Sequence, residues 1–306
     1  MKAHKPGGLF AALFAIVIIF ISAALYESGF ITEEFYLRLI SAVDTEAVFE
    51  SHELEVHFID VGQAECILIK APEKNVLIDA GEIGCGNEIT NHLHANGVFS
   101  IDIFITTHPH SDHIGSAEHI LKKFPVAEVI MPYIPEEYIP TTALFEDFLV
   151  ALEKENCSVS YAKPGTTYDL GGPVLKILAP DGDLGDNLNN YSVVTKLVYE
   201  ETSFLFTGDI EKEAEEAILA LEEDISCTVY NAAHHGSSTS NTYAFLAAAA
   251  PEYAAVSCGL NNDYGHPHRE VVSSFKELGI KYFRTDYDGD IIFGSDGENI
   301  YITTSK

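Results

Sequence analysis

The alternation of hydrophobic and polar positions from residue 53 onward predicts many short strands. Leu54, Val56 and Phe58 alternate with polar or charged neighbours, which is the two-residue period of a half-buried strand. Two more runs follow closely, at 66–70 and 75–81, so we expect the domain to open with an antiparallel meander. Ten later runs are also β-rich: 101–106, 127–131, 174–178, 192–199, 203–208, 227–232, 253–257, 281–285, 290–294 and 299–303.

Between these strands the hydrophobic period changes to that of an amphipathic helix. Within 209–223, Ala214, Ile218 and Leu221 fall on one face, and acidic residues lie opposite. Helical patterns occur at 87–96, 114–123, 143–155, 211–221, 241–249 and 268–278. Because strands and helices alternate in both halves, we expect an α/β (α+β) fold, a four-layer αββα sandwich, forming one domain over residues 53–306.

The N-terminal segment differs from the rest of the chain. Two lysines precede an uncharged run from residue 6 to residue 26, which is long enough for a transmembrane helix of about 20 residues. We interpret residues 1–30 as a membrane anchor or, if Ser22–Ala24 is a cleavage site, as a signal sequence, and residues 31–52 as a tether. The lysines predict a cytoplasmic N-terminus, so the domain would be extracytoplasmic on a single-pass cell-membrane protein, or secreted after cleavage.

Charge restricts the partners that the chain can bind. Seventeen basic residues against 47 acidic residues leave a formal net charge of −30, which repels nucleic acid and anionic lipid at long range. A polyanionic substrate therefore needs local positive charge, such as that of a bound metal ion. No specific protein partner can be inferred from the sequence.

The loop after the strand at 101–106 concentrates residues that bind metals. In "HPHSDH", His108, His110, Asp112 and His113 occupy four of six positions, a density that composition alone does not explain. Imidazole and carboxylate are typical ligands of borderline divalent ions, and two adjacent clusters suit two ions. The loop ends a strand and precedes a helix, which places these side chains at an exposed rim on rigid supports.

The spacing H-x-H-x-D-H resembles the signature loop of the metallo-β-lactamase fold, a family with the αββα architecture. Three more motifs of that family occur along the chain in the expected order. They are "LIDAG" with Asp79, "FLFTGD" with Asp209 and "HHGS" at 234–237. With "IDVGQ", "NNYS" and "YGHPH", the region from about 54 to 294 resembles the hydrolase domain of ComEC-type DNA-uptake competence proteins.

The resemblance implies a centre with two divalent ions, Zn²⁺ or Mn²⁺. Its ligands would be His108 and His110 for the first ion, Asp112 and His113 for the second, and Asp209 between them. Either His234 or His235 would complete the second site, and the other ring would be free to touch substrate. Asp79 would fix the tautomer of a ligand histidine from outside the ligand set.

Further residues receive catalytic or substrate roles by the same resemblance. Asp112 and His235 would act at the reacting centre, and His266 in "YGHPH" would contact phosphate or protonate the leaving group. Ser237 would donate to a phosphate oxygen or cap a helix.

Two segments depart from the pattern of the family. Ala64-Glu65-Cys66 stands where related domains continue with Gly-Asp-Ala after "VGQ". Asn189, Asn190 and Ser192 stand where the wider superfamily supplies a third histidine to the first ion. Because an amide binds a transition metal less well than imidazole does, the first site should be weaker or should prefer a harder ion such as Mn²⁺.

The expected function is that of a membrane-anchored metal-dependent hydrolase. Two divalent ions can activate water to hydroxide and hold both oxygens of a phosphoryl displacement, which favours a phosphodiesterase or nuclease with a phosphodiester substrate such as DNA. The net charge of −30 argues against tight nonspecific binding of DNA. Two alternatives stay open: a phosphoesterase for small or cell-wall phosphoesters, such as phosphocholine esters, and a noncatalytic surface binding module.

Overall fold

The computed structural model describes Thr32, residues 53–155 and residues 157–306. The predicted anchor or signal at 1–30, and the predicted tether at 31–52 apart from Thr32, lie outside the described residues and stay predictions. Within the described part, no helix combines the length and the apolar character needed to span a bilayer. Every helix and strand described below belongs to one compact unit, Glu53–Lys306.

The described residues form fifteen strands in two sheets, which confirms the predicted mixed α/β architecture. The strands are β1 (Leu54–Phe58), β2 (Ile67–Lys70), β3 (Asn75–Ile78), β4 (Ile101–Ile105), β5 (Val126–Met131), β6 (Ser158–Tyr161), β7 (Thr167–Asp169), β8 (Val174–Ala179), β9 (Val194–Tyr199), β10 (Thr202–Phe206), β11 (Val229–Asn231), β12 (Tyr253–Val256), β13 (Lys281–Arg284), β14 (Ile291–Ser295) and β15 (Ile300–Thr304). The first sheet has the order β15-β14-β1-β2-β3-β4-β5-β6, and the second has the order β13-β12-β11-β10-β9-β8-β7.

Helices connect the strands throughout the described unit. The α-helices are α1 (Gly86–Ala95), α2 (Ser111–Ile114), α3 (Ala117–Lys123), α4 (Ala143–Glu155), α5 (Lys212–Ala220), α6 (Tyr243–Ala249), α7 (Arg269–Leu278) and α8 (Thr285–Asp288). Three short 3₁₀ segments lie at Glu136–Tyr138, Leu188–Tyr191 and Ala233–Gly236.

The direction of the strands determines at which edge of a sheet their carboxyl ends lie. The strands β1, β2 and β3 are antiparallel neighbours, which confirms the predicted opening meander. From β3 to β6 the pairing is parallel, and in the second sheet β10, β11, β12 and β13 are also parallel. The carboxyl ends of parallel neighbours share one edge of a sheet, which is where open α/β sheets bind ligands.

Three apolar clusters hold the layers together. The alternating residues of β1, including Val56 and Phe58, meet residues such as Phe204 and Phe206 in a core between the two sheets. A second cluster joins the other face of the first sheet to α1, α3 and α4, and a third joins the second sheet to α5, α6 and α7. Helices therefore cover the outer face of each sheet.

The structure differs from the sequence pattern at several elements. It contains the strands β6 and β7, which the pattern did not predict because they are short and largely exposed and so lack an alternating apolar face. The helix predicted at 114–123 is two helices, α2 and α3, separated at Gly115. A Cβ at this glycine would lie 2.3 Å from the nitrogen of Ile83 and from the oxygen of Ser111, so no larger residue fits there.

Replacing Phe206 with alanine should destabilise the fold through the core between the sheets. The side chain is 1% exposed, and its ring centroid lies 6.4 Å from that of Phe58 and 6.3 Å from that of Phe204. We expect the free energy of unfolding to fall by about 3–5 kcal/mol, measured by urea denaturation of the full chain with far-UV circular dichroism. The control is Phe99→Ala, whose ring is 67% exposed and should cost less than about 1 kcal/mol. Equal losses in the two variants would contradict this account of the core.

Candidate functional site

The candidate site lies where the carboxyl ends of parallel strands from both sheets meet. The strand β4 leads into the loop that carries His108 to His113. In the second sheet, β10 leads to Asp209, and β11 leads to the 3₁₀ segment that carries His234 and His235. Segments far apart in sequence are thus directed to one end of the sandwich.

Four of the predicted ligands form one tight group. Single ligand atoms from Asp112, His113, Asp209 and His235 all lie within 4.8 Å of one another. His113 Nε2 is 3.3 Å from Asp209 Oδ1, and His235 Nε2 is 3.3 Å from Asp112 Oδ2. Two imidazoles and two carboxylates form a donor set typical of a divalent transition ion.

Hydrogen bonds on the far side of each ring turn both histidines of this group toward Asp209. Asp79 Oδ2 lies 2.6 Å from His113 Nδ1, and the same carboxylate accepts from the Thr107 nitrogen and hydroxyl at 2.7 and 2.6 Å. His235 Nδ1 donates to the Ser257 carbonyl at 2.8 Å. With Nδ1 engaged, Nε2 of each ring is the nitrogen that a metal ion would bind, an arrangement common around bound metals.

Two buried atoms indicate that a cation fits the group. His113 Nε2 and Asp209 Oδ1 are both buried, and neither has a hydrogen-bond partner among the described residues, although they lie 3.3 Å apart. Buried polar atoms without partners are rare because their desolvation is not compensated. A divalent ion bound by both atoms would satisfy both, so these residues fit the expected metal.

His108 and His110 form a second pair of donors beside the first group. His108 Nε2 is 3.0 Å from His110 Nδ1 and 3.9 Å from Asp209 Oδ2. Burial, followed by the nearby charge of His113, holds the pKa of His108 well below its usual value, and burial also lowers the pKa of His110. Both rings are therefore neutral at pH 7, which is the form that binds a metal.

The structure brings both histidines of the "HHGS" motif to Asp209. His234 Nε2 is 3.7 Å and His235 Nε2 is 3.8 Å from Asp209 Oδ2. Only His235 belongs to the tight group, while His234 Nδ1 faces Glu211 Oε1 at 3.4 Å. Both histidines have left-handed backbones, with φ of 51° and 55°, a strain that persists only where the surrounding structure imposes it and that is common at functional sites.

The segment that lacks the family's third histidine supports Asp209 instead. Ser192 Oγ accepts from the Asp209 nitrogen at 3.0 Å and lies 3.3 Å from His108 Nδ1. Asn189 donates its amide to Glu211 Oε1 at 3.2 Å, and its Oδ1 is buried without a hydrogen-bond partner among the described residues. Ser192 is thus a support for Asp209, and Asn189 faces the cavity.

These groups line one open cavity of about 340 Å³. Its lining residues are Gln63, His110, Ser111, Asp112, Asn189, Asp209, His234, His235, Tyr264 and His266. Among these described residues none is a lysine or arginine. Ser237 is not among them; it is buried and accepts from the Thr239 nitrogen at 3.3 Å within its own turn.

The comparisons with known proteins agree with this geometry. The sequence model of the Metallo-beta-lactamase superfamily matches residues 59–259. The chain belongs to the metallo-β-lactamase superfamily. The family resemblance inferred from the motifs is confirmed.

Two curated relatives are ComEC-type competence proteins. ComE operon protein 3 of Bacillus subtilis is 30% identical over 79% of this chain, and Competence protein ComA of Neisseria gonorrhoeae is 29% identical over 81%. The match covers 33% of each relative, so the chain spans about a third of their length. Among solved structures, the metallo hydrolase Igni18 of Ignicoccus hospitalis superposes with a TM-score of 0.50 at 14% identity, covering 79% of this chain and 99% of that one, which shows the fold alone.

Sequence reasoning gave no role to Glu65, the acidic residue in the departure from "VGQGDA". Its carboxylate is completely buried and accepts from the Asn231 amide at 2.8 Å, while its backbone nitrogen donates to the Asp112 carbonyl at 3.0 Å. Burial raises the pKa of Glu65 to about 7. Glu65, Asp79 and His113 also place ligand-type atoms within 4.8 Å of one another. An acid in the otherwise apolar run "AECILI" was the signal in the sequence.

The sequence reasoning also gave no role to Gln63, which determines which ring nitrogen of His266 carries the proton. Gln63 Oε1 accepts from the Gly259 nitrogen at 3.0 Å, so its amide group faces His266 Nδ1 at 3.3 Å. Because an amide NH₂ only donates, Nδ1 accepts and His266 Nε2 carries the proton. Burial, followed by the charges of His235 and His234, lowers the pKa of His266 to about 4, so the ring is neutral at pH 7.

Neighbouring carboxylates raise the pKa of both histidines of the tight group. Burial opposes protonation of His235, but the charges of Asp209 and Asp112 outweigh it and raise its pKa to about 9. Burial likewise opposes protonation of His113, and Asp209 and Asp79 raise its pKa well above the usual value. A metal ion that binds Nε2 of each ring must displace these protons.

We therefore expect divalent metal binding at pH 7 to release two protons from the tight group, one from each raised histidine. The release should decline as the pH rises through about 9, because His235 is then already neutral. Isothermal titration calorimetry with Zn²⁺ or Mn²⁺, in buffers of different ionisation enthalpy, measures the number of protons. His235→Ala should release one fewer, and the exposed control His94→Ala should match the wild type. Metal binding without proton release would contradict the assignment.

Proposed function

We propose that this protein is a metal-dependent phosphodiesterase with two divalent ions, Zn²⁺ or Mn²⁺, in its site. The observation that carries the proposal is the convergence of two donor groups on one buried carboxylate. Asp209 lies within 3.3–3.9 Å of histidine nitrogens from both groups. A carboxylate between two cations offsets their mutual repulsion, as in other two-metal sites.

The ligands divide between the two ions by position. His108 and His110 would hold the first ion, while Asp112, His113 and His235 would hold the second. His234 would supply the first ion with the donor that the family's third histidine would have provided, because its Nε2 is as close to Asp209 as that of His108. Glu211 fixes the His234 ring from its other side.

The chemistry combines the ions with groups of the chain. Two divalent ions bound here would act as Lewis acids toward a phosphoryl oxygen and make a nucleophile from water at neutral pH. His266, neutral with its proton on Nε2, donates a hydrogen bond to a phosphate oxygen. Of its two expected roles, phosphate contact is the one we propose, because a pKa of about 4 leaves little protonated ring at pH 7 to protonate a leaving group.

The substrate class follows from the charge of the site and from the relatives. No lysine or arginine is among the described residues that line the cavity, so phosphate must be attracted by the ions themselves. The names of the competence-protein relatives suggest a DNA-related substrate. We also propose that residues 1–30 anchor the chain in the cell membrane, as their uncharged run suggests.

The absence of lysine and arginine among the described lining residues also favours a second candidate, a phosphoesterase for small or cell-wall phosphoesters. Such substrates need fewer phosphate contacts than a polynucleotide does. Turnover of bis(nitrophenyl) phosphate without any cleavage of DNA would favour this candidate.

Replacing Asp209 with alanine should abolish hydrolysis of a phosphodiester. Since the outer partners of metal ligands already cost 10–100-fold when lost, we expect removal of the shared carboxylate to lower kcat by at least about 100-fold. The assay is hydrolysis of bis(nitrophenyl) phosphate and of DNA by the full chain, with activity lost in chelator and restored by Mn²⁺ or Zn²⁺. Asp147→Ala, an exposed change on α4, is the control and should keep wild-type activity. Activity that survives exhaustive chelation would overturn the proposal.

Replacing His234 with alanine should lower the metal content from two ions per chain toward one. The remaining first-site donors, His108 and His110, lack a third ring, so the first ion should be lost during dialysis. Elemental analysis of the dialysed protein measures this directly, with His94→Ala as the exposed control. If His234 contacts substrate instead, the variant will keep two ions and show only a higher KM.

A further inference from the structure

Tyr264 presents an exposed aromatic ring at the rim of the cavity. The ring is 68% exposed and lies nearly parallel to that of His266, at a centroid distance of 5.5 Å and an angle of 22°. His266 is in turn nearly parallel to His235, at 6.2 Å and 26°. Three rings therefore form a stack that leads from solvent to a proposed metal ligand.

Hydrogen bonds hold the loop of Tyr264 in place. The Asn262 amide donates to the Gly259 and His266 carbonyls at 2.9 and 2.7 Å, and Asn262 Oδ1 accepts from the His266 nitrogen at 2.9 Å. His268 Nε2 donates to the Tyr264 carbonyl at 3.1 Å. A ring on a braced loop needs little ordering when it binds a ligand, which increases the affinity that its contacts provide.

The electrostatics of the protein favour an uncharged mode of recognition at this ring. The net charge is −30, and the described residues around the cavity include no lysine or arginine. None of the described residues that line the cavity can therefore form an ion pair with a polyanion as a basic side chain would. Stacking on an aromatic face does not require positive charge, and every nucleobase offers such a face.

We propose that Tyr264 is a stacking platform for an unpaired nucleobase next to the phosphodiester that lies at the ions. The substrate class is then a single-stranded polynucleotide, because the faces of bases inside a duplex are covered by their neighbours. A small phosphoester without a base would not use the platform. This inference rests on the proposed phosphodiesterase function.

The test compares two single strands of equal length with the same phosphodiester backbone, one of thymidine and one of abasic tetrahydrofuran residues. The full chain is loaded with Mn²⁺, and the ratio of kcat/KM on the two strands is measured. We expect the wild type to prefer the thymidine strand by roughly 5- to 150-fold, the range for the loss of one base stack. Y264L should reduce this ratio toward one, mainly through KM, whereas Y264F should retain it.

The matched control is Tyr161 on β6, which is 61% exposed and does not line the cavity. Y161L should therefore keep the wild-type ratio. A wild type without preference, or an equal preference in Y264L, overturns the platform while leaving the phosphodiesterase intact. If the metal-loaded wild type cleaves neither strand but hydrolyses bis(nitrophenyl) phosphate, the platform is overturned and the small-phosphoester candidate is favoured. If it hydrolyses none of the three substrates, the proposed function is overturned as well.

Discussion

The burial of the Asp209 carboxylate among histidine rings is the interaction on which the rest of the site depends. A buried carboxylate is costly unless opposite charges or hydrogen bonds compensate it, and here the compensation comes from both sheets. Ser192 fixes its backbone nitrogen, and Gly208 before it has a left-handed φ of 51° in a space where a Cβ would lie 2.9 Å from Ser192. The backbone around Asp209 is therefore held in the conformation that places its carboxylate in the site.

The architecture explains how distant segments reach that carboxylate. The parallel strands β10 and β11 end at one edge of the second sheet, and β4 ends at an edge of the first sheet. Packing of the two sheets brings the loops after these strands together although they are far apart in sequence. The strained backbones of His234 and His235 lie at this edge. A solved structure with only 14% identity shares this fold. Because a fold alone does not determine a reaction, the reaction must depend on the residues of this cavity.

Several of those features separate this chain from a generic member of its superfamily. Ser192 and Asn189 stand where the resemblance implies a third histidine, and His234 faces the Asp209 carboxylate. Glu65 connects the loop after β1 to the loop of Asp112 through a backbone hydrogen bond, and Gln63 sets the tautomer of His266. Together with an acidic surface and an exposed ring, they suggest recognition through bound ions and stacking, with few contacts from basic side chains.

The sequence by itself determined the features that are encoded within single segments of the chain. Periods of two and 3.6 residues predicted most strands and helices, because these signals lie within single segments. For the same reason "HPHSDH", with Asp79, Asp209 and "HHGS", indicated the family and the candidate metal ligands. Only the tertiary structure decided which ring of His234 and His235 joins the tight group, that Ser192 supports Asp209, and that Tyr264 stacks on His266. These outcomes depend on distances between segments and on side-chain rotamers, which packing of the two sheets determines and which spacing along the chain does not contain.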